Sequence, residues 1–101
     1  LEPLKERSET RDKEFSVSAF LAQLEALRVW GQKAPADLSV VKHPVLVVNG
    51  DADRMVPTPN THDLARRLAN STLIIYPDAG HGGIFQFHAD FVPSALAFLG
   101  R

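Results

Sequence analysis

Cysteine is absent from this chain of 101 residues, so no disulfide framework and no cysteine nucleophile can be drawn from it. Long apolar runs are missing too: the longest, Val45 to Val48 and Leu73 to Tyr76, are far too short to cross a bilayer. Neither sign of charge is in excess, with 11 Lys and Arg against 12 Asp and Glu and a net charge of -1. That balance gives no electrostatic reason to expect nucleic acid or an anionic membrane as partner. The glycine fingerprint of a phosphate loop does not occur, and neither does Gly-x-Ser-x-Gly. No basic, then apolar, then small-residue leader opens the sequence. Together with the lack of cysteine, this sets the expectation of a cytoplasmic protein. The first residue is Leu1, not Met, and a fragment or processed product is expected.

What is present is 45% hydrophobic and 23% charged, an ordinary composition for one soluble globular unit. Residues 1 to 14 are mostly charged and have little to bury, so they read as a linker or strut. From residue 15 to 31 the pattern becomes helical: Val17, Phe20, Leu21, Leu24, Leu27 and Val29 recur at roughly 3.6-residue spacing. Ser16 or Ser18 can cap the start of this helix of about three turns, and Gly31 stops it. Its polar positions Gln23, Glu25 and Arg28 are expected to face water or another layer. Residues 32 to 101 then form the main unit. Gly31 to His43 is a connector anchored by Leu38, Val40 and Val41.

Val45 to Asn49 is a nearly continuous apolar run of the kind found in parallel strands buried on both faces, and Gly50 ends it. Pro57 and Pro59 mark a loop. Asn60 or Thr61 can then cap a helix with Leu64, Ala65, Leu68 and Ala69 on its apolar side. Thr72 to Tyr76 is a second buried strand closed by Pro77. Asn70-Ser71-Thr72 matches a glycosylation acceptor and reads as an accident of the helix-to-strand turn. The last element, His88 to Leu99, has Phe91, Val92, Ala95, Leu96 and Leu99 on one face. Pro93 is expected in its first turn or at a kink, because a helix interior disfavours proline by ~3 kcal/mol. Strand, helix, strand and helix with short connections imply an α/β fold with parallel strands. Two such strands leave both faces poorly covered, so most of the sheet is expected to lie outside the chain.

Each apolar run ends in a glycine-containing turn that delivers one reactive side chain. Asp53 lies three positions after Gly50, and His81 lies within Gly80-His81-Gly82-Gly83, just past the second strand. In open α/β sheets reactive groups collect beyond the carboxyl ends of the strands. Adjacent parallel strands would place both loops on one rim. An imidazole can accept the proton of a nucleophile, and a carboxylate bonded to its other nitrogen fixes the tautomer and stabilises the imidazolium. The glycines around His81 remove bulk where base, substrate and leaving group must meet.

Pro44-Val-Leu-Val-Val-Asn-Gly-Asp-Ala-Asp-Arg-Met-Val-Pro57, taken with Asp78-Ala-Gly-His-Gly82, resembles the last two strands of the α/β-hydrolase fold and the loops that follow them. The order acid then histidine is the chain order of that family. The resemblance covers residues 38 to 99 and implies that Asp53 is the triad acid, His81 the triad histidine and Leu73 to Tyr76 the final strand. Residues 15 to 30 resemble, less specifically, the tail of a cap segment. The nucleophile elbow and both oxyanion donors would lie upstream.

Rivals for these roles are few. Asp51 and a helix-capping or turn role for Asp53 compete with the acid assignment, and Asp78 reads as turn chemistry. His43, His62 and His88 read as surface or structural residues. The four histidines form no i, i+4 pair, and Asp51-x-Asp53 lacks the glycine and terminal glutamate of a calcium loop, so no metal is expected. Met55, Phe85 and Phe87 flank the site, where core packing competes with an acyl pocket. The expectation is thus the C-terminal part of an esterase-like acyl hydrolase without cofactor, acting on a small ester or related acyl compound. The chain alone would be inactive and would need the missing segment or self-association. The alternative is a non-catalytic binding module or a truncated product that must associate. The same fold also hosts dehalogenases, peroxidases and lyases, so the substrate is left open.

Overall fold

A computed structural model describes residues 14–100, so the charged stretch 1 to 14 lies outside the described residues apart from Glu14. The described residues divide into two compact units that meet in sequence at Pro35 and Ala36. The first contains helix α1, Val17–Gly31. Ser16 caps it, its hydroxyl accepting the amide of Ala19 at 3.3 Å, which satisfies one of the free N–H groups of the first turn. At 15 residues it is about a turn longer than its hydrophobic spacing predicts, and its carboxyl end is capped at Gln32, one residue beyond Gly31. On this helix Glu25 and Arg28 form an exposed two-pronged ion pair, with closest approach 2.7 Å.

The second unit runs through a short 3₁₀ turn, Leu38–Val40, then strand β1 (Val45–Gly50), helix α2 (Thr58–Arg67), strand β2 (Ser71–Tyr76), the single turn α3 (Gly83–Gln86) and helix α4 (His88–Leu99). The two strands pair in parallel, from Val45 opposite Ser71 to Gly50 opposite Tyr76. Both carboxyl ends therefore finish at the same level. This is the α/β arrangement of parallel strands with flanking helices that the hydrophobic pattern predicts.

Helix α2 departs from expectation at both ends. It begins at Thr58, not near Asn60 or Thr61, because Pro57 already holds an extended conformation and Pro59 fits the first turn, where its missing N–H costs no hydrogen bond. It ends at Arg67, and Leu68 turns extended. Its buried residues are Thr58 and Thr61, whereas Leu64 is exposed. The connector is tied to this helix by Arg67, whose guanidinium donates to the carbonyl of Ala36 and also pairs with Asp63.

In α4, Pro93 is the sixth residue, beyond the expected first turn. The helix continues across it, and at the very next residue the Ser94 hydroxyl donates to the Asp90 carbonyl at 3.0 Å. Phe91, Ser94, Ala95 and Phe98 are half-buried, while Leu96 and Leu99 are exposed. The helical stripe is thus rotated from the predicted one by about one position. Turn α3 has no hydrophobic period of its own and is formed instead by backbone bonds from Phe85 and Gln86 to the Gly82 carbonyl, both at 3.0 Å.

The buried apolar residues of the described chain are Val47, Tyr76 and Ala79. The Tyr76 ring stacks on Phe87 with centroids 4.8 Å apart, and its hydroxyl is buried without a hydrogen-bond partner among the described residues. Above β1 the chain crosses itself closely. The Asp51 amide donates to the Tyr76 carbonyl and the Ala52 amide to the Ala79 carbonyl, both at 2.9 Å. This crossing needs glycine at position 50, since a Cβ there would stand 2.1 Å from the Ala79 oxygen and 2.6 Å from the Gly80 oxygen. No helix among the described residues is long and apolar enough to cross a membrane.

Gly50→Ala is therefore expected to destabilise the protein by more than ~2 kcal/mol, since the clash is with backbone that cannot rotate away. Gly31→Ala, whose new Cβ would meet nothing within 4 Å, should change stability by less than ~0.5 kcal/mol. Urea denaturation of both variants measures the contrast.

Candidate active site

The turn after β1 is built around the Asp53 carboxylate. One oxygen, Oδ1, accepts the amides of Met55 and Val56, each at 2.9 Å, so the side chain closes the loop that it belongs to. The other, Oδ2, lies 3.0 Å from His81 Nδ1. The Asp53 side chain is 2% exposed and that of His81 53% exposed. A buried acid thus meets an imidazole that reaches into solvent. The loop crossing over Gly50 brings them together, because it fixes the turn after β1 against the turn after β2.

Burial by itself pushes the Asp53 carboxyl upward. The Val56 amide, the His81 ring, the Met55 amide and the Asn49 side chain outweigh it and hold the group at about 2, below its ordinary 3.8. At neutral pH the carboxylate is ionised and can only accept. Nδ1 of His81 must then carry the ring proton, which leaves the Nε2 lone pair as the basic atom of a neutral ring. Among the described residues Nε2 has no hydrogen-bond partner. The arrangement can take a proton from a group presented on the solvent side and stabilise the resulting imidazolium from behind.

The other candidates stand apart from this pair. Asp51 is exposed and takes part through its backbone amide. Asp78 is exposed and holds a left-handed backbone with φ 52°, the turn role expected of it. His43, His62 and His88 are exposed. Of the three apolar neighbours, Phe87 packs, stacked on Tyr76, whereas Met55 and Phe85 are each 76% exposed and are not core residues of the described chain.

Three polar residues at the site escape the sequence reading: Asn49, Thr58 and Thr61. Thr58 Oγ1 donates to the Gly50 carbonyl at 2.7 Å and accepts the Asp53 amide at 3.3 Å. Asn49 Nδ2 donates to Thr61 Oγ1 at 2.9 Å and to the Val56 carbonyl at 3.4 Å, while its Oδ1 accepts the Gly50 amide at 2.8 Å. The available signal was Asn49 itself, an amide closing an otherwise apolar run, which needs a buried partner.

Comparison with known proteins identifies the family of the fold. The family model described as TAP-like protein, of the α/β-hydrolase class, matches residues 19–97. A Synechocystis protein named for non-heme chloroperoxidase activity is 38% identical over 78 residues, which are 75% of this chain and 28% of that protein. The structure of an α/β-hydrolase fold protein from Chitinophaga pinensis superposes with TM-score 0.78 at 40% identity, covering 94% of this chain and 35% of that one. A serine hydrolase involved in carbazole degradation, the CarC enzyme, superposes with TM-score 0.67 at 27% identity over 82% of this chain and 33% of its own. The chain belongs to the α/β-hydrolase family. It spans roughly a third of the length of these relatives.

The depressed Asp53 carboxyl has a consequence for folding. A group whose folded value lies below its unfolded one adds stability above the unfolded value, and that stability is lost as pH falls through the folded value. Asp53 should stabilise the fold fully above about pH 4 and lose that contribution between about pH 4 and pH 2. Denaturation midpoints measured across this window should show wild type and Asp53→Asn converging toward the acid end. Curves that stay parallel would contradict the assignment.

Proposed function

We propose that Asp53 and His81 are the acid and base of a nucleophile-His-Asp triad in an esterase-like acyl hydrolase, whose nucleophile and oxyanion donors are carried by sequence outside this chain. The observation that carries this reading is the 3.0 Å contact between a buried Asp53 Oδ2 and His81 Nδ1, with the rest of the imidazole open to solvent. Membership of the α/β-hydrolase family supports it, as does the likeness to the CarC serine hydrolase.

The chemistry follows from the tautomer. His81 Nε2 takes the proton of the attacking hydroxyl as the hydroxyl oxygen bonds to the substrate carbonyl carbon, and Asp53 stabilises the imidazolium without itself becoming protonated. As the tetrahedral intermediate collapses, the C–O bond to the leaving alcohol breaks and His81 returns the proton to that oxygen. Water then repeats the sequence on the acyl-enzyme, with His81 again as base, releasing the carboxylic acid and restoring the nucleophile. The substrate class is a small ester or related acyl compound. No step calls for a cofactor.

In the complete enzyme, Asp53→Asn should lower turnover of a short-chain aryl ester on the order of 10⁴-fold, and Asp51→Asn should do far less. His81→Ala should abolish turnover, while alanine at His43, His62 or His88 should leave most of it. Equal losses at Asp51 and Asp53, or activity surviving in His81→Ala, would overturn the assignment.

The chain by itself carries the acid and base in the turns beyond two paired strands, with Leu73, Val92, Leu96 and Leu99 exposed. We infer that further strands and helices of the enzyme cover this surface. Residues 1 to 101 expressed alone should therefore self-associate in light scattering and hydrolyse aryl esters no faster than background. A monodisperse monomer, or turnover that His81→Ala removes, would contradict this.

A further inference from the structure

The turn that bears Asp53 is held by two side chains outside it, and their hydrogen bonds go to its backbone. Thr58 is 8% exposed and its single hydroxyl serves two backbone groups at once, donating to the carbonyl of Gly50 at the end of β1 and accepting the Asp53 amide in the loop. Asn49 reaches from the last turnward positions of β1 to the Val56 carbonyl, and Thr61, also 8% exposed, holds that amide from α2. The far side of the same Val56 residue supplies the amide that binds Asp53 Oδ1. Both ends of the loop are thus fastened to rigid elements, one to the start of α2 and the other to β1. Loops without regular structure are otherwise the most mobile parts of a fold, and an orienting carboxylate must be held within a fraction of an ångström.

We propose that Thr58 is a positioning residue for Asp53, and that Asn49 and Thr61 complete a polar clamp which holds the carboxylate against His81. The inference rests on the triad reading given above. A hydroxyl is required because only a group that donates and accepts can satisfy the Gly50 carbonyl and the Asp53 amide together. Valine has nearly the same shape and can do neither, leaving two backbone groups unpaired in a buried site. Serine retains both bonds. The clamp touches neither substrate nor the reacting atoms, so its loss should act on turnover and not on substrate binding.

The test is kinetics on the complete enzyme with a short-chain aryl ester, comparing Thr58→Val, Thr58→Ser and, as a control, Ser71→Ala. Ser71 Oγ donates to the Ala65 carbonyl at 2.6 Å, a comparable hydroxyl-to-backbone bond at the opposite end of β2. Thr58→Val should lower kcat about 10- to 100-fold with KM changed less than about twofold. Thr58→Ser should recover kcat to within about threefold of wild type, and Ser71→Ala should leave it unchanged even where its Tm falls. The low-field proton on His81 Nδ1, read by NMR, should disappear in Thr58→Val and persist in Thr58→Ser. If Thr58→Val does not accumulate as folded protein, Thr61→Val takes its place and should lower kcat in the same direction by a smaller factor. Wild-type kcat with a retained low-field proton in the valine variant, failure of serine to rescue, or an equal kcat loss in Ser71→Ala would overturn the proposal. Asp53→Asn and His81→Ala run alongside separate the two readings. Full activity in those variants sinks the triad, whereas their inactivity beside an unaffected Thr58→Val sinks the clamp alone.

Discussion

Everything at the rim of this sheet depends on how closely two backbones approach above Gly50. The turn after β1 donates amides to the Tyr76 and Ala79 carbonyls, and at that distance no side chain can stand between them. A parallel pair of strands brings its carboxyl ends to the same level but leaves the loops beyond them free to diverge. The amide-to-carbonyl bonds remove that freedom. Once the two loops are joined there, Asp53 and His81 meet through the placement of the main chain, and the contact between them does not have to assemble the loops by its own strength.

The division of burial within the pair follows from this construction. Asp53 is folded under its own loop, where amides compensate the loss of water, and a carboxylate so held can stay ionised while nearly fully buried. His81 stands between glycines with one ring nitrogen committed to Asp53 and the other facing out. A buried acid held by several hydrogen bonds and a base that remains accessible suit a proton-transfer site better than two exposed or two buried groups would. Asn49, Thr58 and Thr61 extend the same logic one layer outward, since a carboxylate is only as fixed as the peptide groups that bind it.

Much of this was legible in the sequence. Val45 to Asn49 and Thr72 to Tyr76 read as parallel strands because valine-rich and isoleucine-rich runs between turn signals have few alternatives. Asp53 and His81 stood out because each follows such a run at a short distance with glycine nearby. Periodicity was a poorer guide elsewhere. In α2 the inward face is made by the hydroxyls of Thr58 and Thr61, which a hydrophobic pattern scores as polar and assigns to solvent. Pro93 was expected in the first turn of α4 or at a kink, and it lies in the second turn, a position that an apolar spacing count cannot fix. Met55 and Phe85 were weighed as core residues from their apolar character, and the described chain leaves both exposed. Long-range hydrogen bonds such as Asn49 to Thr61 leave no periodic trace, and only the unexplained amide at the end of an apolar strand pointed toward one.

The measurement that bears most directly on this account is the tautomeric state of His81, determined by ¹⁵N NMR of the imidazole in the complete protein. The account predicts that the uncharged form of the ring carries its proton on Nδ1 with a bare Nε2, and that this single tautomer is lost in Asp53→Asn. A ring protonated on Nε2, or one whose tautomer is unchanged when Asp53 is replaced, would contradict it.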